Sequence, residues 1–142
     1  MKKIKILIMG LPGSGKTTLS EKLAPLLDAV RVNADKVRKD HNDWDFSLAG
    51  RLRQANRMKI VSDQVIKDNK NAVVDFVCPT KKTRKAFDAN YIVWMNTIEK
   101  GRFEDTNQLF ENPKKNEINF EVNEKDSEKY KYLISKDIKS LK

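Results

Sequence analysis

A glycine-rich stretch directly after an apolar run is the feature that most constrains this sequence. Residues 10–17 are G-L-P-G-S-G-K-T and match G-x-x-x-x-G-K-[ST] at every fixed position. The preceding residues 3–9, K-I-K-I-L-I-M, are typical of a short buried parallel strand. Leucines then recur at every fourth residue from Leu19 to Leu27, which predicts a helix that begins near Lys16. A strand, a glycine loop and a helix in this order indicate a phosphate-binding loop.

The residue types of this loop suit the phosphates of a nucleoside triphosphate. Its glycines allow backbone torsions and close approaches that side chains would block, and its N–H groups converge at a helix N-terminus. We expect Lys16 to reach the β- and γ-phosphates of ATP and the Thr17 hydroxyl to hold Mg²⁺. The predicted ATP-binding residues are Gly10, Leu11, Pro12, Gly13, Ser14, Gly15, Lys16, Thr17 and Thr18.

Strand and helix patterns alternate along the rest of the chain. Predicted strands lie at 29–32, 71–77, 91–96 and 117–122, and predicted helices at 47–69, after Pro79 and at 127–138. This alternation predicts a three-layer α/β fold of the P-loop nucleoside triphosphate hydrolase type, with a mostly parallel five-stranded sheet. The 142 residues contain no long linker, so we expect a single domain over residues 1–142.

The composition excludes some classes of protein and leaves others open. No apolar run approaches the roughly 18 residues of a membrane span. A single cysteine, Cys78, cannot form an internal disulfide, which favours a reducing cytoplasm. The net charge of +9 is concentrated in residues 51–60 and 81–85. These basic stretches are either a solvated surface or part of a pocket for a polyanion.

Asp35 and Arg38 are the candidate residues for the second substrate. A chain of this length has no room for a motor or effector domain and lacks an N-K-x-D guanine motif, which favours a kinase for a small substrate. A hydroxyl acceptor needs a carboxylate to orient it and take its proton. Asp35 follows the second strand, and Arg38 shares its face of a helical turn, where it would bind an anionic group. The alternative is an N-cap aspartate beside a surface arginine.

Asp75 is the candidate for a second contact with the metal ion. It ends the apolar strand pattern A-V-V-D, where the acidic residue of a Walker B strand faces magnesium. We expect it to contact Mg²⁺ through water. The alternative role is to cap the turn before Pro79.

Four segments in order resemble the adenylylsulfate (APS) kinases: G-L-P-G-S-G-K-T-T, N-A-D-K-V-R, F-S-L-A-G-R and D-F-V-C-P-T-K-K-T-R. The resemblance covers residues 4 to about 97. It implies an enzyme of sulfate assimilation that transfers the γ-phosphate of ATP to the 3′-hydroxyl of adenosine 5′-phosphosulfate. It also implies that Asp35 and Lys16 are catalytic, that Phe46 stacks on the acceptor adenine, and that Arg51 and Lys81 meet the phosphosulfate. The implied acceptor-binding residues are Asp35, Arg38, Phe46, Arg51, Gln54, Pro79 and Lys81.

Several positions depart from the pattern of that family. Asn33 replaces its first aspartate, Gly50 replaces an acid before the arginine, Gln54 replaces an asparagine and Thr80 replaces a tyrosine. Residues 97–115 are also much shorter than the lid of the family, so the usual lid is expected to be largely missing. Arg102, within this stretch, is either a contact of the phosphates or ATP base or a solvated loop residue.

Two other functions remain open from the sequence. The pattern N-x-D-x-x-R after the glycine loop also resembles the 5′-hydroxyl polynucleotide kinases, which Asn33 and the positive charge suit. Under that alternative the partner is the end of a nucleic acid. A nucleotide-binding module without turnover is the third hypothesis, although ATP binding alone would not require Asp35 and Arg38. A homodimer is also left open.

Overall fold

The five strands form one parallel sheet. The computed structural model describes residues 2–141. Its strands are β1 (Lys5–Met9), β2 (Ala29–Asn33), β3 (Asn71–Asp75), β4 (Tyr91–Met95) and β5 (Phe120–Val122). They lie in the order β2-β3-β1-β4-β5, and each neighbouring pair is parallel. The predicted mostly parallel five-stranded sheet is confirmed.

Helices cover both faces of this sheet. They are α1 (Lys16–Leu26), α2 (Ala34–His41), α3 (Leu48–Lys67), α4 (Lys81–Phe87), α5 (Glu104–Leu109) and α6 (Ser127–Lys139), with a 3₁₀ turn at Lys115–Glu117. Successive side chains of a strand point to opposite faces. Ile6 and Ile8 of β1 therefore pack with α1 and α6, whereas Leu7 and Met9 pack with α2, α3 and α4. The three-layer α/β architecture is confirmed.

Four of the predicted strands are shorter in the structure, among them the third and the fifth. The third strand stops at Asp75 rather than at residue 77, at the point where its pairing with β2 also ends, opposite Asn33. The fifth strand is limited to Phe120–Val122. The predicted start of the long helix holds, since the Ser47 hydroxyl accepts a hydrogen bond from the N–H of Gly50 at 3.1 Å. Within residues 2–141, no helix combines the length and apolar character that a bilayer crossing requires.

Candidate active site

A cavity of about 490 Å³ lies at the carboxyl edge of the sheet, where ligands bind in open α/β folds. It brings residues of the glycine loop together with residues of β2, α2, α3 and the loop after β3. Lys16 and Thr17 line it on one side. On the other side it is lined by six of the seven residues predicted to bind the acceptor: Asp35, Arg38, Phe46, Arg51, Gln54 and Pro79.

Not every predicted residue lines this cavity: its wall lacks Lys81, Thr18 and the loop residues Gly10, Leu11, Gly13, Ser14 and Gly15. Lys81 is exposed and is absent from the cavity wall, although its backbone N–H donates to the Glu111 carboxylate at 3.1 Å. Lys81 is the first residue of α4. Thr80, which stands where the APS kinases have tyrosine, caps this helix: the side chains of Thr80 and Thr83 form a reciprocal capping box. Thr18 lines a separate, smaller cavity of about 120 Å³ on the other side of α1.

The glycine loop has the backbone geometry that its sequence predicts. Gly10 and Gly15 have φ angles of 152° and 102°, in the region that favours glycine, and a Cβ on Gly10 would lie 2.9 Å from the carbonyl oxygen of Met95. The ammonium of Lys16 donates to the carbonyl of Leu11 at 2.9 Å. Burial lowers the pKa of Lys16 to about 8, and Asp75 opposes that shift. The loop therefore combines backbone torsions that favour glycine with a partly buried cation.

Asp75 is bonded to residues of α1 and β2, not to the turn before Pro79. The hydroxyl of Thr17 donates to Asp75 Oδ2 at 3.3 Å. Arg31 of β2 donates to both carboxylate oxygens, from Nε and Nη2, each at 2.9 Å. Sequence analysis missed Arg31. The available signal was a charged residue in the middle of a short strand, between Val30 and Val32.

The pair of Thr17 and Asp75 suits a magnesium ion that arrives with a nucleotide. Mg²⁺ in such sites takes one or two protein oxygens and completes its shell with phosphate oxygens and water. A hydroxyl and a carboxylate 3.3 Å apart at the start of α1 match this donor set. Within the described part of the chain, no cluster of three or more His, Cys, Asp or Glu side chains forms an all-protein metal site.

Asn33, rather than Asp35, is the N-cap of α2. Its side-chain oxygen accepts hydrogen bonds from the N–H groups of Asp35 at 2.9 Å and Lys36 at 3.3 Å. The carboxylate of Asp35 is left in the first helical turn, exposed to the cavity. The alternative in which Asp35 caps the helix is therefore wrong. The alternative in which Arg38 lies on the surface is also wrong, because Arg38 is only 5% exposed.

Two buried arginines flank the ring of Phe46. The guanidinium carbon of Arg38 lies 4.4 Å from the ring centroid and that of Arg51 lies 5.4 Å from it. Arg51 is 7% exposed. Burial lowers the pKa of both guanidinium groups, and the charge of Arg51 lowers that of Arg38 further. Two like charges held close together in a cavity wall would be stabilised by an anion.

The loop that carries Phe46 is held against α3 by ion pairs. Asp43 accepts from Arg57 at 2.6 Å and from Arg53 at 3.1 Å, and Arg53 also donates to Asp45. The carbonyls of Asp43 and Asp45 in turn accept from Arg38 at 3.0 and 3.3 Å. The loop passes so near α3 that a Cβ on Gly50 would lie 2.1 Å from the Asp45 carbonyl oxygen. The departure at Gly50 is thus what lets this loop pack closely.

The segment expected to lack a lid contains α5, which forms one wall of the cavity. Four of its residues line the cavity: Arg102, Phe103, Asp105 and Thr106. The buried hydroxyl of Thr106 accepts from Arg51 Nη2 at 2.8 Å. Farther along, the carbonyl of Glu111 accepts from the buried Arg84 at 2.6 Å. This short segment, which we call the cover, is therefore held by buried arginines at Thr106 and at Glu111.

The same segment is also joined to the glycine loop. The hydroxyl of Thr97 donates to the carbonyl of Ser14 at 2.6 Å. A Cβ on Gly101 would lie 3.0 Å from the carbonyl oxygen of Pro12. The cover consequently contacts both the side of the cavity that would hold ATP and the side that would hold the acceptor. Sequence analysis missed α5 because its six residues carry no strong periodic pattern.

Comparison with known proteins gives a family and a fold. The family described as "AAA domain" matches residues 6–91, which is more than half of the chain. This match runs from within β1 to the first residue of β4, and it includes the glycine loop, Asp35 and Arg38. No curated protein is significantly similar in sequence.

Several solved structures have the same fold. The APS kinase CysC of Mycobacterium tuberculosis, in complex with AMPPNP and APS, has a TM-score of 0.81 at 16% identity, over 98% of this chain and 99% of that one. A sugar kinase from Janibacter sp. HTCC2649 has a TM-score of 0.76 at 14% identity, over 96% of this chain and 95% of that one. The shikimate kinase of Acinetobacter baumannii, in complex with shikimate, has a TM-score of 0.66 at 16% identity, over 99% of this chain and 96% of that one. At these identities the likeness shows the P-loop kinase fold alone.

Proposed function

This chain belongs to the AAA domain family, and on that premise we propose that it is an ATP-dependent kinase whose acceptor is a small anionic nucleotide of the adenosine 5′-phosphosulfate type. One observation carries the proposal. A single cavity holds Lys16 and Thr17 of the glycine loop opposite the carboxylate of Asp35 and two buried arginines. A nucleotide-binding module without turnover would not need that second set of residues.

The two arginines support an anionic acceptor. Among the described residues, neither Arg38 nor Arg51 has a carboxylate within 4.0 Å, so their charges are held by carbonyl groups, a hydroxyl and the ring of Phe46. Buried charges without an ion partner are costly, and an anion that enters the cavity would relieve that cost. Phe46 itself remains 48% exposed, which suits contact with a planar base.

The proposed mechanism relies on position and fixed charge. Lys16 and the N–H groups of the loop would hold the β- and γ-phosphates, and Asp35 would orient the acceptor hydroxyl and take its proton. A general base of this kind contributes about 10²- to 10⁴-fold. Thr17 and Asp75 would hold Mg²⁺, which supplies charge neutralisation at the phosphates when it is bound. The cover that includes Thr106 would limit the access of water.

The smaller cavity is the candidate site for the ATP base. It lies beside Gly15 and Thr18 at the start of α1, and its other walls come from Tyr130 and the turn at 124–127. It adjoins the glycine loop on the side away from the acceptor residues. A base bound there would let the phosphates pass over the N-terminus of α1 towards Asp35. We therefore assign Thr18 to the base side of ATP.

The alternative acceptor is the 5′-hydroxyl end of a polynucleotide. Lys81 favours it, because this predicted phosphosulfate contact is exposed on α4 outside the cavity, next to the exposed Lys82 and Lys85. Such a surface would suit phosphates that extend beyond the cavity. The buried arginine pair favours the small acceptor, since it holds its charges inside the cavity.

The test compares ATP–Mg²⁺ turnover with APS, with a 5′-hydroxyl oligonucleotide and without an acceptor. We expect transfer to APS, and Asp35→Asn should reduce its rate about a hundredfold or more while ATP binding is unchanged. Asp40→Asn is the matched control, because Asp40 is an exposed acid on the same helix that pairs with Lys36 outside the cavity. Transfer only to the oligonucleotide would favour the alternative. Tight ATP binding without transfer to either would contradict the kinase proposal for these acceptors.

A further inference from the structure

Arg31 engages the whole carboxylate of Asp75. Its Nε and Nη2 atoms each lie 2.9 Å from a different carboxylate oxygen, and Nε also lies 2.9 Å from the hydroxyl of Ser20. Asp75 is only 6% exposed, so water has little access to compete for the hydrogen bonds of this pair. A bidentate arginine–carboxylate pair is among the strongest charged hydrogen bonds in proteins. Asp75 thus already has a cation at both of its oxygens.

The other edge of Arg31 is directed away from Asp75. The Arg31 side chain is 22% exposed and lines the same cavity as Lys16 and Thr17. Its Nη1 atom lies 3.8 Å from the carboxylate of Glu21, a largely exposed residue one helical turn after Thr17. The guanidinium therefore bridges the candidate metal ligands and the space in which phosphates would bind. A guanidinium group readily binds phosphate, so Arg31 can bind an anion that enters this space.

We propose that Arg31 and a divalent cation compete for Asp75, so that the cation enters the Thr17–Asp75 site only together with a triphosphate. A free cation would have to displace a bidentate pair and leave a largely buried guanidinium with only the Ser20 hydroxyl at 2.9 Å and the Glu21 carboxylate at 3.8 Å, which is unfavourable. A triphosphate offers Arg31 replacement oxygens and brings the cation with it. The inference rests on the proposed function only in taking ATP as the ligand, and it makes Arg31 a positioning residue.

The experiment measures Mn²⁺ binding to the full chain by electron paramagnetic resonance. Without nucleotide, the wild type should bind Mn²⁺ weakly and Asp75→Asn should change nothing. Arg31→Met should tighten Mn²⁺ binding about tenfold or more, and adding Asp75→Asn should remove that gain. With a non-hydrolysable ATP analogue, the wild type should bind Mn²⁺ tightly in a manner that depends on Asp75.

The matched control is Lys70→Met. Lys70 pairs with Asp28 at 3.2 Å at the amino ends of β3 and β2, the two strands that Asp75 and Arg31 join. Loss of that exposed pair should leave the Mn²⁺ affinity unchanged.

Two results would overturn the inference. One is an Arg31→Met protein that is folded by circular dichroism and binds Mn²⁺ no more tightly than the wild type. The other is nucleotide-free Mn²⁺ binding by the wild type that Asp75→Asn abolishes, which decides the question even if Arg31→Met does not fold. Neither measurement uses phosphate transfer. A failure of the proposed kinase activity would therefore be seen separately, in the turnover assay.

Discussion

Replacing Thr106 by valine would remove one hydroxyl that holds Arg51 on the side of the cavity where we propose that the acceptor binds. Thr106 is almost fully buried, and its oxygen accepts from Arg51 Nη2 at 2.8 Å. Valine has nearly the same shape, so the packing of α5 should survive. Arg51 would keep the described bond from its Nε to the carbonyl of Phe46 at 2.9 Å. That bond alone does not fix the position of the Nη2 group.

The size of the effect follows from this contact. A hydrogen bond to a charged group contributes about 1.5–3 kcal/mol, and its loss here leaves a buried charged donor unpaired. Because 1.4 kcal/mol corresponds to a factor of ten, the KM for the acceptor should rise about 10- to 100-fold. The free energy of unfolding should fall by about 1–3 kcal/mol, since the same contact fastens the cover in the free protein.

Steady-state kinetics with ATP and acceptor varied separately test this, with Thr97→Val as the matched control. Thr97 bonds the same segment to the carbonyl of Ser14 in the glycine loop, at 2.6 Å. Thr106→Val should raise mainly the KM for the acceptor, and Thr97→Val mainly the KM for ATP. If Thr106→Val moved both constants equally, or lowered stability in urea without moving either, the assignment of Arg51 to the acceptor would be refuted.

Three other measurements probe the glycine loop and the Phe46 loop. Because burial lowers the pKa of Lys16 to about 8, ATP affinity should fall as the pH rises through 8, with proton uptake on binding seen by calorimetry in two buffers; a pH-independent affinity would contradict it. Gly50→Ala should destabilise the protein in urea, since overpacking against the Asp45 carbonyl costs about 1–3 kcal/mol and outweighs the helix propensity gain of about 0.5–1 kcal/mol. Asp43→Asn should raise the acceptor KM severalfold and spare the KM for ATP, because it weakens the ion pair with Arg57 that holds the loop.

Much of the fold was predictable because its signals are local. The apolar run of β1, the glycine loop and the leucine spacing of α1 are adjacent in sequence, and each is specified by near neighbours. The cap at Ser47 and the one-turn spacing of Asp35 and Arg38 are local in the same sense. Such features can be recognised from a single sequence, because hydrogen bonds and periodicity within a few residues determine them.

The partners of the predicted site residues were not predictable in this way. Asp75 was expected to face magnesium, but its pairing with Arg31 arises from the parallel register of β2 and β3, across 44 residues of chain. Lys81 was expected inside the cavity and lies outside it, because α4 begins at that residue. The buried state of Arg38 depends on the carbonyls of a loop that Arg53 and Arg57 hold in place.

The sequence by itself therefore determined the layered α/β architecture, the phosphate-binding loop and the carboxylate and arginine that follow β2. Tertiary structure alone decided how the cavity is closed and how its charges are balanced. The helix α5 has six residues, too few to be stable without outside contacts. Arg51 reaches the helix at Thr106 from 55 residues away, and Arg84 holds the chain just after it, at Glu111, from 27 residues away. The cover and the arginine-lined side of the cavity are thus joined by hydrogen bonds that exist only once the chain has folded.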